Sequence, residues 1–304
     1  MTPPTTGTAG DLTSAATTQA AIAIRTVAID GQVLRIGIRA GSAPVPLLIF
    51  NGIGANLELM APFTAALDGI ESVVFDVPGV GGSPAPTLPY RLKGLARLAD
   101  RLMTQLGYGG WIDVLGVSWG GTLAQQFAFT HPQRCRRLVL AATSPGNLMV
   151  PGKLSVLSKM INPRRYHDPT FLQDVGAQLY GGEFRRRPEL LHEHGQHMKP
   201  PLGRGYLYQL LAGTAWSSLP WLGMLRQPTL VMAGSDDPII PLVNARILAT
   251  LIRNARLHVV DDGHLFLLTR APEMGRVVKE FLGDDTAPIV SPPPSIGATR
   301  HEAA

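Results

Sequence analysis

The stretch from Trp111 to Gly121 constrains this chain more than any other. Residues 111–117 form a short apolar run suited to a buried strand, and residues 122–129 have the amphipathic spacing of a helix. Between them stands Gly116-Val117-Ser118-Trp119-Gly120, a Gly-x-Ser-x-Gly turn. A strand that becomes a helix within about one residue forces its central serine into strained backbone geometry and leaves no room for a Cβ at Gly116 or Gly120. Ser118 is therefore expected at the carboxyl end of a parallel strand. There the first amides and the dipole of the next helix favour developing negative charge. Five residues recur by chance in a chain with 33 glycines, so the motif gains its weight from the flanking strand and helix and from an acid and a histidine further along the chain.

Around this turn the pattern alternates strand and helix. Residues 21–29 and 32–38 are two alternating runs across Asp30-Gly31, a strong hairpin signal. Strands come next at 46–50 and 72–77, with helical spacing at 57–67 and 90–106. After the Ser118 turn comes a strand at 135–143, and then the alternation stops. Residues from about 145 to 220 read as helical fragments broken by Pro and Gly. The alternation resumes with a strand at 228–233, a helix at 242–252, a strand at 256–260 and a helix at 273–282. Repeated β-α units predict an α/β fold: a mostly parallel eight-stranded sheet with helices on both faces, opened by an antiparallel hairpin. The interruption has the size of an inserted helical cap over the carboxyl edge, where such sheets bind ligands. The expected division is a tail at 1–20, core at 21–144, cap at 145–222, core at 223–283 and a Pro-rich tail at 284–304, both tails disordered.

Composition narrows the classes. With 45% hydrophobic and 16% charged residues, most of the chain can bury a core. The net charge of +5 is spread out except at Arg164-Arg165 and Arg185-Arg186-Arg187, with only Tyr166 and Phe184 interleaved. A solvated basic face is expected there, and no nucleic-acid partner. The single cysteine, Cys135, opens an apolar run; it cannot form an internal disulfide, fits a reducing compartment, and reads as a small core residue. Residues 1–20 lack the charged and apolar regions of a secretory signal, so a cytoplasmic location is expected. No window approaches the roughly 18 apolar residues of a membrane helix, so no integral membrane association is expected.

An acid and a base come after the serine in chain order. Residues 228–233 lead into Gly234-Ser235-Asp236-Asp237-Pro238, and residues 256–260 lead into Asp261-Asp262-Gly263-His264. Ser118, Asp237 and His264 stand in the order of an α/β-hydrolase triad, each at the carboxyl end of a strand. A hydroxyl is a poor nucleophile until a histidine takes its proton, and the imidazolium so formed needs a carboxylate to fix its tautomer. Asp236 and Asp237 both sit in the turn, and the Gly-x-x-Asp spacing from Gly234 favours Asp237. Of the eight histidines, His264 alone comes after a late strand with a glycine before it. His192, His194 and His197 have spacing that could suggest a metal site; without a second ligand set they read better as a solvated helix face, and no metal is expected. The oxyanion donors expected are the amides of Trp119 and Ile53, the latter in Asn51-Gly52-Ile53-Gly54 after the third strand. A dinucleotide fingerprint fails there because Leu57 stands where a third glycine belongs. The Gly-rich turn at 78–83, with no Gly-Lys-Ser/Thr after it, should shape the loop beneath the site.

Motifs at residues 51–59, 75–83, 116–121, 150–153, 180–186 and 261–267 together resemble the intracellular depolymerases of medium-chain-length poly(3-hydroxyalkanoates). The likeness runs from about residue 21 to 284 and takes in the cap. It implies a serine hydrolase that cleaves a storage polyester at the surface of cytoplasmic granules, with its triad on Ser118, Asp237 and His264 and no cofactor. Asn51-Gly52 stands where many α/β-hydrolases carry His-Gly, as in the depolymerase group. A polymer with pendant alkyl groups needs an apolar track, and the cap offers one in residues such as Met149, Met160, Trp216 and Met224; most of these are expected to form the cap's own core. Asn51, Gly52, Gly54, Met149 and Trp216 are the candidate substrate-binding residues. A carboxylesterase or carbon–carbon bond hydrolase of the same fold is the alternative, and a non-catalytic binding protein would have no need of all three triad residues. Oligomeric state, side-chain length preference and endo or exo cleavage are not written in the sequence.

Overall fold

A computed structural model describes residues 22–162, 164–200 and 203–284. Apart from residue 284, the expected tails lie outside these residues. Strands β1 (Ala23–Ile29) and β2 (Gln32–Arg39) pair antiparallel across a tight turn. Asp30 and Gly31 both take positive φ, 50° and 75°, as a two-residue turn matched to strand twist requires. The remaining strands are β3 (Leu47–Phe50), β4 (Ser72–Phe75), β5 (Ile112–Val117), β6 (Cys135–Ala141), β7 (Thr229–Gly234) and β8 (Ala255–Val260). They form one eight-stranded sheet in the order β1-β2-β4-β3-β5-β6-β7-β8, parallel from β4 onward.

Both faces are covered because the central strands are apolar on both sides. Successive residues of β5 divide between the two cores: Val114 packs with one and Leu115 with the other. Helices α2 (Leu92–Gln105), α3 (Trp119–Thr130) and α10 (Leu242–Leu251) cover one face. Helices α1 (Ala61–Ala66) and α12 (Ala271–Leu282) cover the other. Residues 57–67, read as one helix, divide into a 3₁₀ turn, Leu57–Met60, and then α1. Pro62, with no amide to give, sits in the first turn of α1 and starts the new helix there. The strand expected to reach residue 143 ends at Ala141, because Ala142 turns out of the sheet at φ 48°.

Between β6 and β7 lie α4 (Leu154–Ile161), α5 (Arg164–His167), α6 (Pro169–Tyr180), α7 (Gly182–Arg186), α8 (Leu190–His197) and α9 (Gly205–Thr214), then a 3₁₀ turn, Leu219–Met224. They build a small core of their own, with Val156, Leu172, Leu179 and Leu191 packed around Phe184 and Tyr180. A last short helix, α11 (Phe266–Thr269), precedes α12. Cys135 is buried, and burial, with the nearby Asp113 charge, pushes its thiol well above the usual range. Among the described residues no helix is long and apolar enough to cross a membrane.

Candidate active site

The turn at Ser118 has the strain its sequence demands. Ser118 takes φ 54° and ψ −120° between β5 and α3. Its carbonyl accepts from Gly121 N–H at 2.9 Å and from the Thr143 hydroxyl at 2.6 Å, so the strained residue is pinned from two sides. Gly120 is required by packing: a Cβ there would stand 2.1 Å from the Phe50 carbonyl oxygen, a backbone atom that cannot move aside.

His264 Nε2 lies 3.0 Å from Ser118 Oγ, and His264 Nδ1 lies 2.7 Å from Asp237 Oδ2. His264 and Asp237 are both buried. The other carboxylate oxygen of Asp237 accepts the backbone N–H of Ile239 and of Ile240, each at 2.9 Å. Those two amides fix which oxygen faces the imidazole. Asp236 points the other way, to an exposed ion pair with Arg185 at 2.7 Å and to Gly182 N–H at 2.8 Å. Adjacent residues of one turn thus have opposite surroundings.

The loop that carries His264 is clamped by the inserted segment. His264 N–H donates to the Tyr180 carbonyl at 2.7 Å, and Asp262, itself buried, accepts from Glu183 N–H at 2.7 Å and from the Thr269 hydroxyl at 2.6 Å. Gly182 lets the two segments meet; a Cβ there would stand 1.9 Å from Gly263 N.

The Asn51–Gly54 loop faces Ser118 from the other side. Asn51 spends its side-chain amide within the loop, donating to the Asn56 carbonyl at 2.9 Å and accepting from Gly52 N–H at 2.8 Å. Trp119 is the first residue of α3, so its N–H has no partner within the helix. Gly54 N–H donates to the buried Gln209 Oε1 at 2.7 Å, and the Trp119 indole donates to the Gln209 carbonyl at 2.9 Å. Tyr166 donates its hydroxyl to the Ile53 carbonyl at 3.1 Å. Beneath the loop, Asp76 accepts from Leu57 N–H, Gly82 N–H and Arg35 at 2.7 to 2.9 Å, while burial raises its pKa against those bonds. The turn at 78–83 therefore shapes this loop through Asp76.

Ser118 and His264 open on a cavity walled by apolar side chains, among them Leu59, Phe63, Met160, Met198 and Leu268. Asn51, Gly52 and Ile53 line it; Gly54 lies behind the loop against Tyr166. Met149 and Trp216 are not among its lining residues. Trp216 donates its indole N–H to Gln126 at 2.8 Å and meets Trp221 edge-on, which fixes it in the packing of α3 instead.

Gln209, Tyr166 and Arg165 are site residues that the sequence did not single out for the site. Arg164-Arg165 was expected on a solvated face; Arg164 is exposed and paired with Asp168, but Arg165 is only 5% exposed and lines the Ser118 cavity. The basic trio at 185–187 does lie at the surface, paired with Asp236, Asp261 and Glu183. The three histidines of α8 diverge: His192 meets Gln196, His197 meets the Glu193 carbonyl, and His194 is buried between Tyr180 and Phe184. Burial, aided by the Arg165 and His197 charges, lowers the His194 pKa to about 4.

Residues 45–271 match the family model of the alpha/beta hydrolase fold. The poly(3-hydroxyalkanoate) depolymerase of Ectopseudomonas oleovorans is 51% identical over 276 residues, covering 90% of this chain and 97% of the relative. The pimeloyl-[acyl-carrier protein] methyl ester esterase of Aromatoleum aromaticum is 29% identical, covering 78% of this chain and 97% of its own. Among solved structures, the enol-lactonase of Burkholderia xenovorans superposes with a TM-score of 0.73 at 24% identity, over 86% of this chain and 100% of that one, a likeness of fold. This chain is an ester hydrolase of the α/β-hydrolase fold family and belongs, within it, to the family of the poly(3-hydroxyalkanoate) depolymerase.

Proposed function

We propose that this chain is a serine hydrolase that cleaves the ester bonds of medium-chain-length poly(3-hydroxyalkanoate) in the cytoplasm, at the surface of polymer granules. The observation that carries the reading is the relay from Ser118 through His264 to Asp237, at 3.0 and 2.7 Å, opening on an apolar cavity. Ser118 Oγ attacks the ester carbonyl as His264 Nε2 takes its proton, and Asp237 stabilises the imidazolium. The Ile53 and Trp119 amides hold the oxyanion. His264 then protonates the departing alkoxide, which leaves as the hydroxyl end of the polymer, and Ser118 keeps the acyl group. Water deprotonated by His264 attacks the acyl-enzyme, and a second oxyanion collapses to free the acid and restore Ser118.

The substrate assignment draws on the 51% identical relative and on the apolar character of the inserted helices. Residues 145–222 act as a lid on a core made of 21–144 and 223–283. Leu148, Leu154, Ile161, Leu207, Leu211 and Met224 in and beside this insertion stand exposed, between 49% and 82%. That is more open apolar surface than a lid over a small polar substrate needs, and it suits a water-insoluble polymer.

The test is release of 3-hydroxy acids from a suspension of medium-chain polyester, beside short-chain polyester and a p-nitrophenyl alkanoate, with the wild type and Ser118→Ala. Release from the medium-chain polymer that vanishes in the variant is the expected result. Cleavage of the p-nitrophenyl ester alone would overturn the polymer assignment and leave a carboxylesterase.

A further inference from the structure

We infer that Arg165 is the receptor for the free carboxylate of a hydroxy-acid chain end, so that the enzyme favours the ester bond next to the carboxyl terminus of its substrate. The inference rests on the polyester reading for the identity of the chain, and on Arg165 itself for the carboxylate.

Arg165 is 5% exposed on α5 and lines the same cavity as Ser118 and His264. Its surroundings are aromatic. The guanidinium lies 4.2 Å over the Tyr166 ring and 5.8 Å from that of Tyr206, and it donates from Nη2 to the Tyr166 hydroxyl and from Nη1, at 3.5 Å, to that of Tyr180. Among the described residues no Asp or Glu pairs with it, whereas Arg164, Arg185, Arg187 and Lys199 of the inserted segment each find one. Its Nε is buried with no hydrogen-bond partner among the described residues, and so is Nδ1 of His194 in the wall of the same cavity.

A buried guanidinium that cannot lose its proton is costly unless an anion meets it. Nε and one Nη form the edge that takes a carboxylate with two parallel hydrogen bonds. The position suits one particular carboxylate. Tyr166 accepts from Arg165 and donates to the Ile53 carbonyl at 3.1 Å, so the cation stands two hydrogen bonds from the oxyanion loop. In a 3-hydroxyalkanoate chain every internal group is a neutral ester. The one anion is the terminal carboxylate, two carbons from the alkoxy oxygen of the last ester bond. It lies on the leaving-group side, so an arginine that holds it also presents that last ester to Ser118.

The experiment compares the 3-hydroxyoctanoate dimer as free acid and as methyl ester, by kcat/KM, in the wild type, Arg165→Gln and Arg165→Lys. Each enzyme is read as its own acid-to-ester ratio, so a general loss of activity does not enter. One charge-assisted hydrogen-bonded contact predicts a wild-type ratio of about ten or more, a ratio near one in Arg165→Gln, and an intermediate value in Arg165→Lys. A second arm uses the wild type alone. Monomeric 3-hydroxyoctanoate should compete with p-nitrophenyl octanoate about tenfold better than its methyl ester does. A wild type with no preference for the acid in either arm, or an Arg165→Gln enzyme that keeps the preference, overturns the inference. If no polyester or dimer is cleaved while the p-nitrophenyl ester is, the polyester reading fails, and the competition arm still decides whether Arg165 binds carboxylate.

Discussion

The two walls of the Ser118 cavity are built differently. On the sheet side the polar groups complete one another. Asp237 takes His264 and two backbone amides, Asn51 satisfies its own loop, and Ser118 is pinned through its carbonyl. On the side of the inserted helices, Arg165 and His194 are buried and carry donor or acceptor atoms that no group among the described residues meets. The difference separates two tasks. On the proposed function, a relay that must work identically in every turnover is fixed by the protein alone, whereas a wall proposed to discriminate among ligands keeps spare polar capacity for them.

The sharpest way to break this comparison uses two adjacent carboxylates on the sheet side. Asp237→Asn should lower kcat on any ester by about 10⁴-fold, because the imidazole loses both its tautomer and its counter-charge. Asp236→Asn should leave kcat within about twofold and shift stability by no more than about 1 kcal/mol, since its ion pair with Arg185 is exposed. Equal losses in steady-state assays of the two variants would contradict the assignment of the acid.

Gly120→Ala tests whether the elbow is held by packing. Its Cβ would meet backbone at 2.1 Å, so a loss of about 3 kcal/mol in urea unfolding is expected, with most of the chemistry lost as well. A normal midpoint would show that the elbow gives way to a side chain at this position.

The helix side should show itself in acid. The His194 pKa lies near 4 against 6.5 for an ordinary histidine, with Arg165, His197 and the Tyr180 ring against it. As pH falls, the unfolded chain takes up this proton before the folded one does. The stability that His194 contributes is complete above pH 6.5 and is lost toward pH 4, by about 3 kcal/mol across that window. Replacing it with Phe, which matches the Tyr180 and Phe184 rings around it, should flatten the unfolding midpoint over the same range. An unchanged acid slope in His194→Phe would place the acid sensitivity elsewhere.

The smallest effect belongs to the contact between the two walls. Gln209→Met strips Gly54 N–H of its acceptor while keeping the side-chain length. About tenfold in kcat should be lost, with KM nearly unchanged, if the loop amides act on the transition state. A rise in KM alone would assign Gln209 to ground-state binding.

The same division describes how much of the molecule was legible in its sequence. Ser118, Asp237 and His264 each come after a strand, and their turns have local signatures: a serine between glycines that packing requires, a carboxylate before proline, a glycine before histidine. The Asp30-Gly31 hairpin was readable for the same reason, since turn type depends on the residues in the turn. Arg165, Tyr166 and Gln209 come from helical fragments whose placement depends on tertiary packing. No spacing relates them to Ser118, so a basic pair beside a tyrosine read as a solvated face. Met149 and Trp216 stand out in the sequence by apolar character, which does not separate a cavity wall from a helix contact; Trp216 pairs with Gln126. The 3₁₀ turn before α1 was legible in principle, from Pro62, and was outweighed by the helical period around it.

The most direct measurement is to treat the folded enzyme with a fluorophosphonate and map the adduct by peptide mass spectrometry while monitoring ester hydrolysis. A single adduct on Ser118, forming in step with loss of activity and absent in Ser118→Ala, is the predicted result. Labelling at another residue that abolishes hydrolysis, or full activity in Ser118→Ala, would contradict it.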